Sequence, residues 1–240
     1  MRETFTVSPI AVVHSCFKEK FGIPRQPGLA PEAKAIIELL PPFNVPDAVD
    51  GLALCSHIWV HFLFHGNHRQ NWKPKVKPPR LGGNKSMGVF ATRSPVRPNP
   101  IGLSVVALER VLLEYRGRDG VFLAIAAHDL LDGTPVIDIK PYLPYADALA
   151  DARNDFALAS PELLNVSFVD EVEQILTSWP EFKRLIGQVL SQDPRPAYQK
   201  GRSEERVYGM QLSHWDVRWR YLPHRNGLQR ILVTELIERA

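Results

Sequence analysis

The 240-residue chain is poor in cysteine, has no long apolar run and carries no dinucleotide-type glycine loop. Its two cysteines, Cys16 and Cys55, are too few for a disulfide framework, which points to a reducing, cytoplasmic compartment. The opening residues MRETFTVSPIAVVHS lack the apolar core and small-residue cleavage site of a signal peptide. No apolar stretch approaches the ~20 residues that span a bilayer, so a soluble protein without a membrane partner is expected. Neither a strand–GxGxxG–helix unit nor a P-loop occurs, which argues against a nucleotide bound in the usual α/β manner. Internal repeats and low-complexity tracts are missing as well. The formal charge is only +3, so the total does not mark a nucleic-acid binder, and a local patch would matter more than the sum.

What the chain has is proline, 21 residues, most of them in its first two thirds. Short apolar runs alternate there with proline and glycine clusters: FTVSPIAVVHS, AIIELL, HIWVHFLFH, MGVFAT, LSVVALERVLLEY, GVFLAIAAHDLL and TPVIDIK. Strands at this spacing, separated by turn chemistry, predict an antiparallel barrel or sandwich. One short helix fits NVPDAVDGL, with Asn44 as cap, Pro46 in the first turn and Gly51 as stop. The alanine-rich DALADARNDFALASPELL reads as a linker. Beyond it, Phe182, Leu185, Ile186, Val189 and Leu190 recur on one face of a helix bounded by Pro180 and Pro194. VYGMQL, WDVRWRYL and RILVTELI then read as three strands. The expectation is two helices on a three-stranded sheet.

Several residue groups carry potential chemistry. His57, His61 and His65 are four apart, which on a helix would suit zinc. Their run is rich in Trp, Val, Ile and Phe and reads as a strand, where such residues stand about 13 Å apart, too far to chelate one ion. No metal is therefore expected, and His65 stands out only as the strand end before Gly66. Three rigid polar turns are better candidates for a ligand site: PRQPG (Pro24–Gly28), FATRSPVRPNPIG (Phe90–Gly102) and LLDGTPVIDIKPYLPYAD. In the last, Asp138, Lys140 and Tyr142 alternate along an extended segment and share a face, a row able to bind polar groups or move protons, or an ordinary solvated strand face. Near the C-terminus Arg218 and Arg220 form a basic stripe opposite Val217, Trp219 and Tyr221. Arg195, Tyr198, Lys200 and Arg202 lie on a loop. Arginines with an exposed aromatic suit RNA, while the bland reading is a charged surface.

Taken together, EKFGIPRQPGL, PPRLGGNKSMGVFATRSPVRPNPIGLS, HDLLDGTPVIDIKPYLPYAD and QDPRPAYQKG resemble the TsaA-like (TrmO) family of tRNA methyltransferases, over nearly the whole chain. The resemblance implies a mainly β fold: an antiparallel β-barrel N-terminal domain (1–150) binding S-adenosyl-L-methionine, and a small α+β C-terminal domain (160–240) facing tRNA. It implies methylation of N6 of threonylcarbamoyladenosine beside the anticodon, by a homodimer with its sites near the subunit interface. Carried onto this chain, the cofactor contacts are Pro24, Arg25, Gln26, His65, Gly66, Arg93, Leu103 and the turn Leu130, Leu131, Asp132, Gly133 and Thr134. A carboxylate such as Asp132 is a more plausible neighbour of the sulfonium than a cation. Asp138, Lys140 and Tyr142 are expected to orient the acceptor or relay its proton. Arg195, Tyr198, Lys200, Arg218 and Arg220 are expected to meet the anticodon stem-loop. Arg97 keeps three alternatives: buttress of its loop, contact to a partner subunit, or contact to tRNA. The rival readings are a methyltransferase of the same fold acting on another substrate, and a non-catalytic RNA-binding barrel.

Overall fold

The computed structural model describes residues 3–66, 72–78, 85–155, 157, 162–195, 199, 206–225 and 228–239. Eight strands form the first part: β1 (Ala11–Ser15), β2 (Lys34–Leu39), β3 (His57–Leu63), β4 (Lys75–Val76), β5 (Met87–Gly88), β6 (Ile101–Tyr115), β7 (Arg118–Ala126) and β8 (Pro135–Pro141). Six of them close into an antiparallel ring in the order β1-β2-β7-β6-β3-β8, with β8 pairing back onto β1. Closure removes the exposed strand edges that an open sheet would leave. Alternation decides what fills it. Ile58, Val60 and Phe62 of β3 are buried with Val13, Ile37, Val106, Leu123, Ile125 and Val136, while His57, Trp59 and His61 fall on the outer face. The β6–β7 hairpin turns through Arg116 and Gly117, both at positive φ, 53° and 72°. Two-residue hairpins need that geometry to match strand twist.

The helix expected over NVPDAVDGL is instead two 3-10 turns, Pro46–Val49 and Leu52–Leu54. Asn44 does not cap them: Val45 holds the cap position without a side-chain hydrogen bond. Gly51, at φ 76°, ends the first turn and starts the second, so too few residues remain for an α-helix.

The remainder comprises α1 (Pro144–Asp147), β9 (Asn165–Phe168), α2 (Asp170–Leu176), α3 (Pro180–Ser191), β10 (Val207–Leu212), β11 (Trp215–Arg225) and β12 (Leu228–Glu238). The sheet has four strands rather than three, in the order β10-β11-β12-β9. The extra one, β9, pairs parallel to β12 and is too short for its alternation to stand out. Leu185, Ile186, Val189 and Leu190 of α3 pack with Val172 and Leu176 of α2 onto Met210, Leu212, Val217, Trp219, Ile231 and Val233.

The two cores are joined through residues 16–33. Phe17 is 2% exposed in the C-terminal core, bridges to Leu212, and sets its ring edge-on to His128 at 5.3 Å. Cys16 O accepts from Ser213 N at 2.7 Å, and Leu29 O accepts from the Gln192 amide at 3.0 Å. Gln188 Oε1 accepts from Glu32 N at 2.9 Å. Ala30 and Ala33 complete the same core. The PRQPG turn is thus seated on the C-terminal sheet and α3 as well as on the ring. Phe17→Ala should cost about 3–5 kcal/mol in urea denaturation. It should also weaken ligand binding at Pro24–Gln26, read by calorimetry at a temperature where the variant is folded.

Candidate functional site

One end of the ring opens into a cavity of about 890 Å³, a size suited to a nucleoside-like ligand. Its apolar wall is made by Phe62, Phe64, Ile101, Leu103 and Leu131, and its polar rim by Arg25, Gln26, His65, Arg93, Asn99 and Thr134. Gly102 lies opposite Phe62 in the β3–β6 ladder, and a Cβ there would fall inside the Phe62 ring. The glycine therefore lets an aromatic ring lie flat in the wall. Phe64 N donates to Pro100 O at 2.8 Å, tying the proline-rich stretch to the end of β3. Arg93 donates to the Gln26 side chain, so the two turns meet across the mouth. Arg97 donates to Thr92 O at 3.2 Å and to Ser94 O at 3.4 Å, which makes it the buttress of its own loop.

Of the expected cofactor contacts, Pro24, Arg25, Gln26, His65, Gly66, Arg93, Leu103, Leu131 and Thr134 line this cavity. Leu130, Asp132 and Gly133 do not. Leu130 is a core residue, and Gly133 supplies the turn at φ 73°. Asp132 points away: its carboxylate accepts from Ser15 N at 2.7 Å and pairs with Lys18 at 2.9 Å. The lining of this cavity gives no support to a place for Asp132 beside a bound cation, since its carboxylate holds the turn to the chain after β1.

The carboxylate that lines the cavity is Asp129, which the sequence reading passed over. It accepts from Ser104 Oγ at 2.6 Å, and burial pushes its pKa up to about 6, against the opposing pull of Ser104 and Arg93. The signal was available: Asp129 is the first acid after β7, most of which is fully buried. A charged residue where such a strand ends faces either solvent or a site.

The row Asp138, Lys140 and Tyr142 is brought together, but outside the ring. Asp138 pairs with Lys140 at 2.5 Å, opposite His61 and Trp59, and Tyr142 packs near the His57 and Trp59 rings. None of the three lines the cavity of its own chain. The histidines of β3 lie along a strand, and no metal-binding group of three or more His, Cys, Asp or Glu occurs among the described residues.

The C-terminal basic residues divide. Arg195 is 1% exposed, held by Asp193 at 2.9 Å and Gln229 at 2.6 Å, with its guanidinium 3.3 Å from the Tyr221 ring centroid. It is an internal strut, which corrects its assignment to RNA. Tyr198 and Lys200 lie outside the described residues. Arg218 shares its charge with Asp216 and Glu235, and Arg220 is exposed.

Fold and site together define a β protein with a pocket built from turns at a ring end, walled by apolar side chains and lined by one largely buried carboxylate, Asp129. The chain belongs to the tRNA-methyltransferase O family: the model of that family's N-terminal domain matches residues 12–148 and the model of its C-terminal domain matches residues 161–236. It is 49% identical over 222 residues to the tRNA (adenine(37)-N6)-methyltransferase of Escherichia coli K12, covering 90% of this chain and 93% of that one. It is 51% identical over 223 residues to a putative S-adenosylmethionine-dependent methyltransferase, RcsF, of Pseudomonas aeruginosa, covering 91% and 93%. A crystal structure of TrmO from Pseudomonas aeruginosa superposes with a TM-score of 0.77 at 41% identity, covering 98% of this chain and 99% of that one.

The raised pKa of Asp129 has a stability consequence. The folded state holds this proton more tightly than the unfolded chain does. The stabilisation is therefore full below the ordinary carboxyl value and lost as pH rises through about 6. Above that, the wild type bears the cost of an ionised, largely buried carboxylate. Asp129→Asn should be more stable than wild type at pH 7.5, on the order of 1–2 kcal/mol. The gap should close between pH 6 and 4 in thermal melts.

Proposed function

We propose that this chain methylates N6 of adenosine 37 in tRNA, with threonylcarbamoyladenosine as the acceptor and S-adenosyl-L-methionine as the methyl donor. The observation that carries the reading is the turn-built cavity with Asp129 inside it, in a chain of this family. The donor, when bound, supplies an electrophilic methyl group on a sulfonium.

The residues fit that molecule. Phe62, Phe64, Leu103 and Leu131 offer the apolar walls that an adenine needs. Arg25 and Arg93 offer guanidinium groups for a carboxylate. Asp129 is the anion a sulfonium or ammonium would lie near. Asp129 has a second use. The acceptor nitrogen belongs to a urea, a weak nucleophile that must shed its proton, and a carboxylate titrating near pH 6 is an apt acceptor for it. Ser104 holds that carboxylate in place.

We read the closed strand ring as a barrel domain of residues 1–150, residues 160–240 as a small α+β domain, and the working protein as a cytoplasmic homodimer. In such a dimer we assign the outward row Asp138, Lys140 and Tyr142 to the acceptor at the other subunit's site, because it lies outside its own ring. Asp138→Asn and Tyr142→Phe at wild-type turnover would remove that role.

The decisive measurement is mass spectrometry of tRNA nucleosides after incubation with the protein and isotope-labelled S-adenosyl-L-methionine. A methyl group on N6 of threonylcarbamoyladenosine is expected, and label on a different nucleoside would overturn the substrate. The rate should fall as pH drops below about 6, where Asp129 takes up a proton. Asp129→Asn should lower the rate by about 10²–10⁴ and abolish that limb of the profile.

A further inference from the structure

The positive charge of this protein is segregated. Between residues 51 and 108 there is no Asp or Glu, yet eight Lys and Arg occur, so that stretch is +8 within a chain of +3 and the rest is −5. A segment of 58 residues without one acid is far from the mixed charge of an ordinary surface. The fold gathers its described part at the mouth of the cavity. Lys75 pairs with Gly88 across the β4–β5 ladder, and Val89 N donates to Pro74 O at 2.9 Å. The hairpin therefore runs directly into Phe90, which lines the cavity.

Two further properties separate this face from the rest of the surface. Lys73, Lys75, Lys77 and Lys85 are exposed, and none forms an ion pair with a described residue. Many cations elsewhere are paired with neighbours, as in Lys34–Glu181, Arg118–Glu38, Arg184–Glu32 and Arg218–Glu235, while those unpaired with any described residue, such as Arg110, Arg153 and Arg220, are scattered along the chain. The face also displays bare aromatic rings: Phe90 is 75% exposed and Trp72 50%. Phe90 sits on a short 3-10 turn, Val89–Ala91, anchored by buried Val89 and followed by the loop that Arg97 buttresses. A large apolar ring held rigidly in water beside unpaired ammonium groups is the arrangement that binds single-stranded nucleic acid: the ring stacks on a base and the cations take phosphates.

We propose that this face, formed by residues 72–78 and 85–97, is the RNA-docking surface, with Phe90 stacking on a base adjacent to the target nucleotide and Lys73, Lys75 and Lys77 holding the backbone. The inference rests on the tRNA reading above and names the surface that delivers the substrate. A second copy of the chain is the poorer occupant. A two-fold interface sets a patch against itself, which here would press like charges together, and interface centres are depleted in lysine.

The test is fluorescence anisotropy of a labelled tRNA anticodon stem-loop with the full-length protein, titrated over a range of salt. Phe90→Ala should weaken binding about 5- to 100-fold, and Phe90→Trp should restore it. The triple variant Lys73→Ala, Lys75→Ala, Lys77→Ala should reduce the slope of log K against log salt by about 2. Unchanged affinity and slope in these variants would overturn the proposal. So would loss of affinity only in an Arg218→Ala, Arg220→Ala variant, which would move docking to the C-terminal sheet. A parallel loss of S-adenosyl-L-methionine affinity in Phe90→Ala, by calorimetry, would make Phe90 a cofactor wall instead. A change of oligomeric state accompanying the lysine loss, by size-exclusion chromatography, would make the face a subunit interface. Failure of the wild type to methylate tRNA overturns the proposed reaction, whereas docking is read from anisotropy alone.

Discussion

The structure depends on the seating of residues 16–33 between two hydrophobic cores. This segment carries the PRQPG turn, and no regular ladder of its own holds it in place. Phe17, Ala30 and Ala33 bury it in the C-terminal core, and backbone groups of Cys16, Leu29 and Glu32 bond across to Ser213, Gln192 and Gln188. Removing the C-terminal sheet would thus expose apolar surface and free one wall of the cavity at once. The second region is part of how the site is built.

The cavity sets one acid among bases. Arg25, Arg93 and Lys20 ring the mouth, and Asp129 sits inside, raised toward neutrality by burial. Such a carboxylate is a poor stabiliser and a good proton acceptor, the usual compromise at a working site. The neighbouring Asp132 shows the contrast. Three residues along the same turn, a carboxylate given a backbone N–H and a lysine becomes structural. Cys16 makes a similar point: burial pushes its thiol up to about 12, so it is an inert packing group.

Much of this was legible in the order of residues. Strand alternation at Val217, Trp219 and Tyr221 against Arg218 and Arg220, and the α3 stripe from Phe182 to Leu190, follow from period and polarity alone. The turns that build the cavity were legible too, because proline and glycine constrain a backbone wherever it folds. Arg195 was misread because sequence shows a charge but not its partners. Only the fold brings Asp193, Gln229 and Tyr221 around it. The edge strand β9 was missed because its pairing with β12 spans more than sixty residues, which no local pattern encodes.

By itself the sequence determined the β-rich first part, the α3 and β10–β12 elements, the rigid turns and the kinship that the motifs carry. The elements and turns are properties of local stereochemistry and short-range periodicity, whereas the kinship rests on the resemblance of the motifs to a known family. Tertiary structure alone decided which of two nearby carboxylates faces the cavity, which arginines are struts, and that the Asp138 row lies outside its own ring. Each depends on side-chain direction and long-range neighbours, and burial and pairing set the charge behaviour of a group only once the chain has brought those neighbours together.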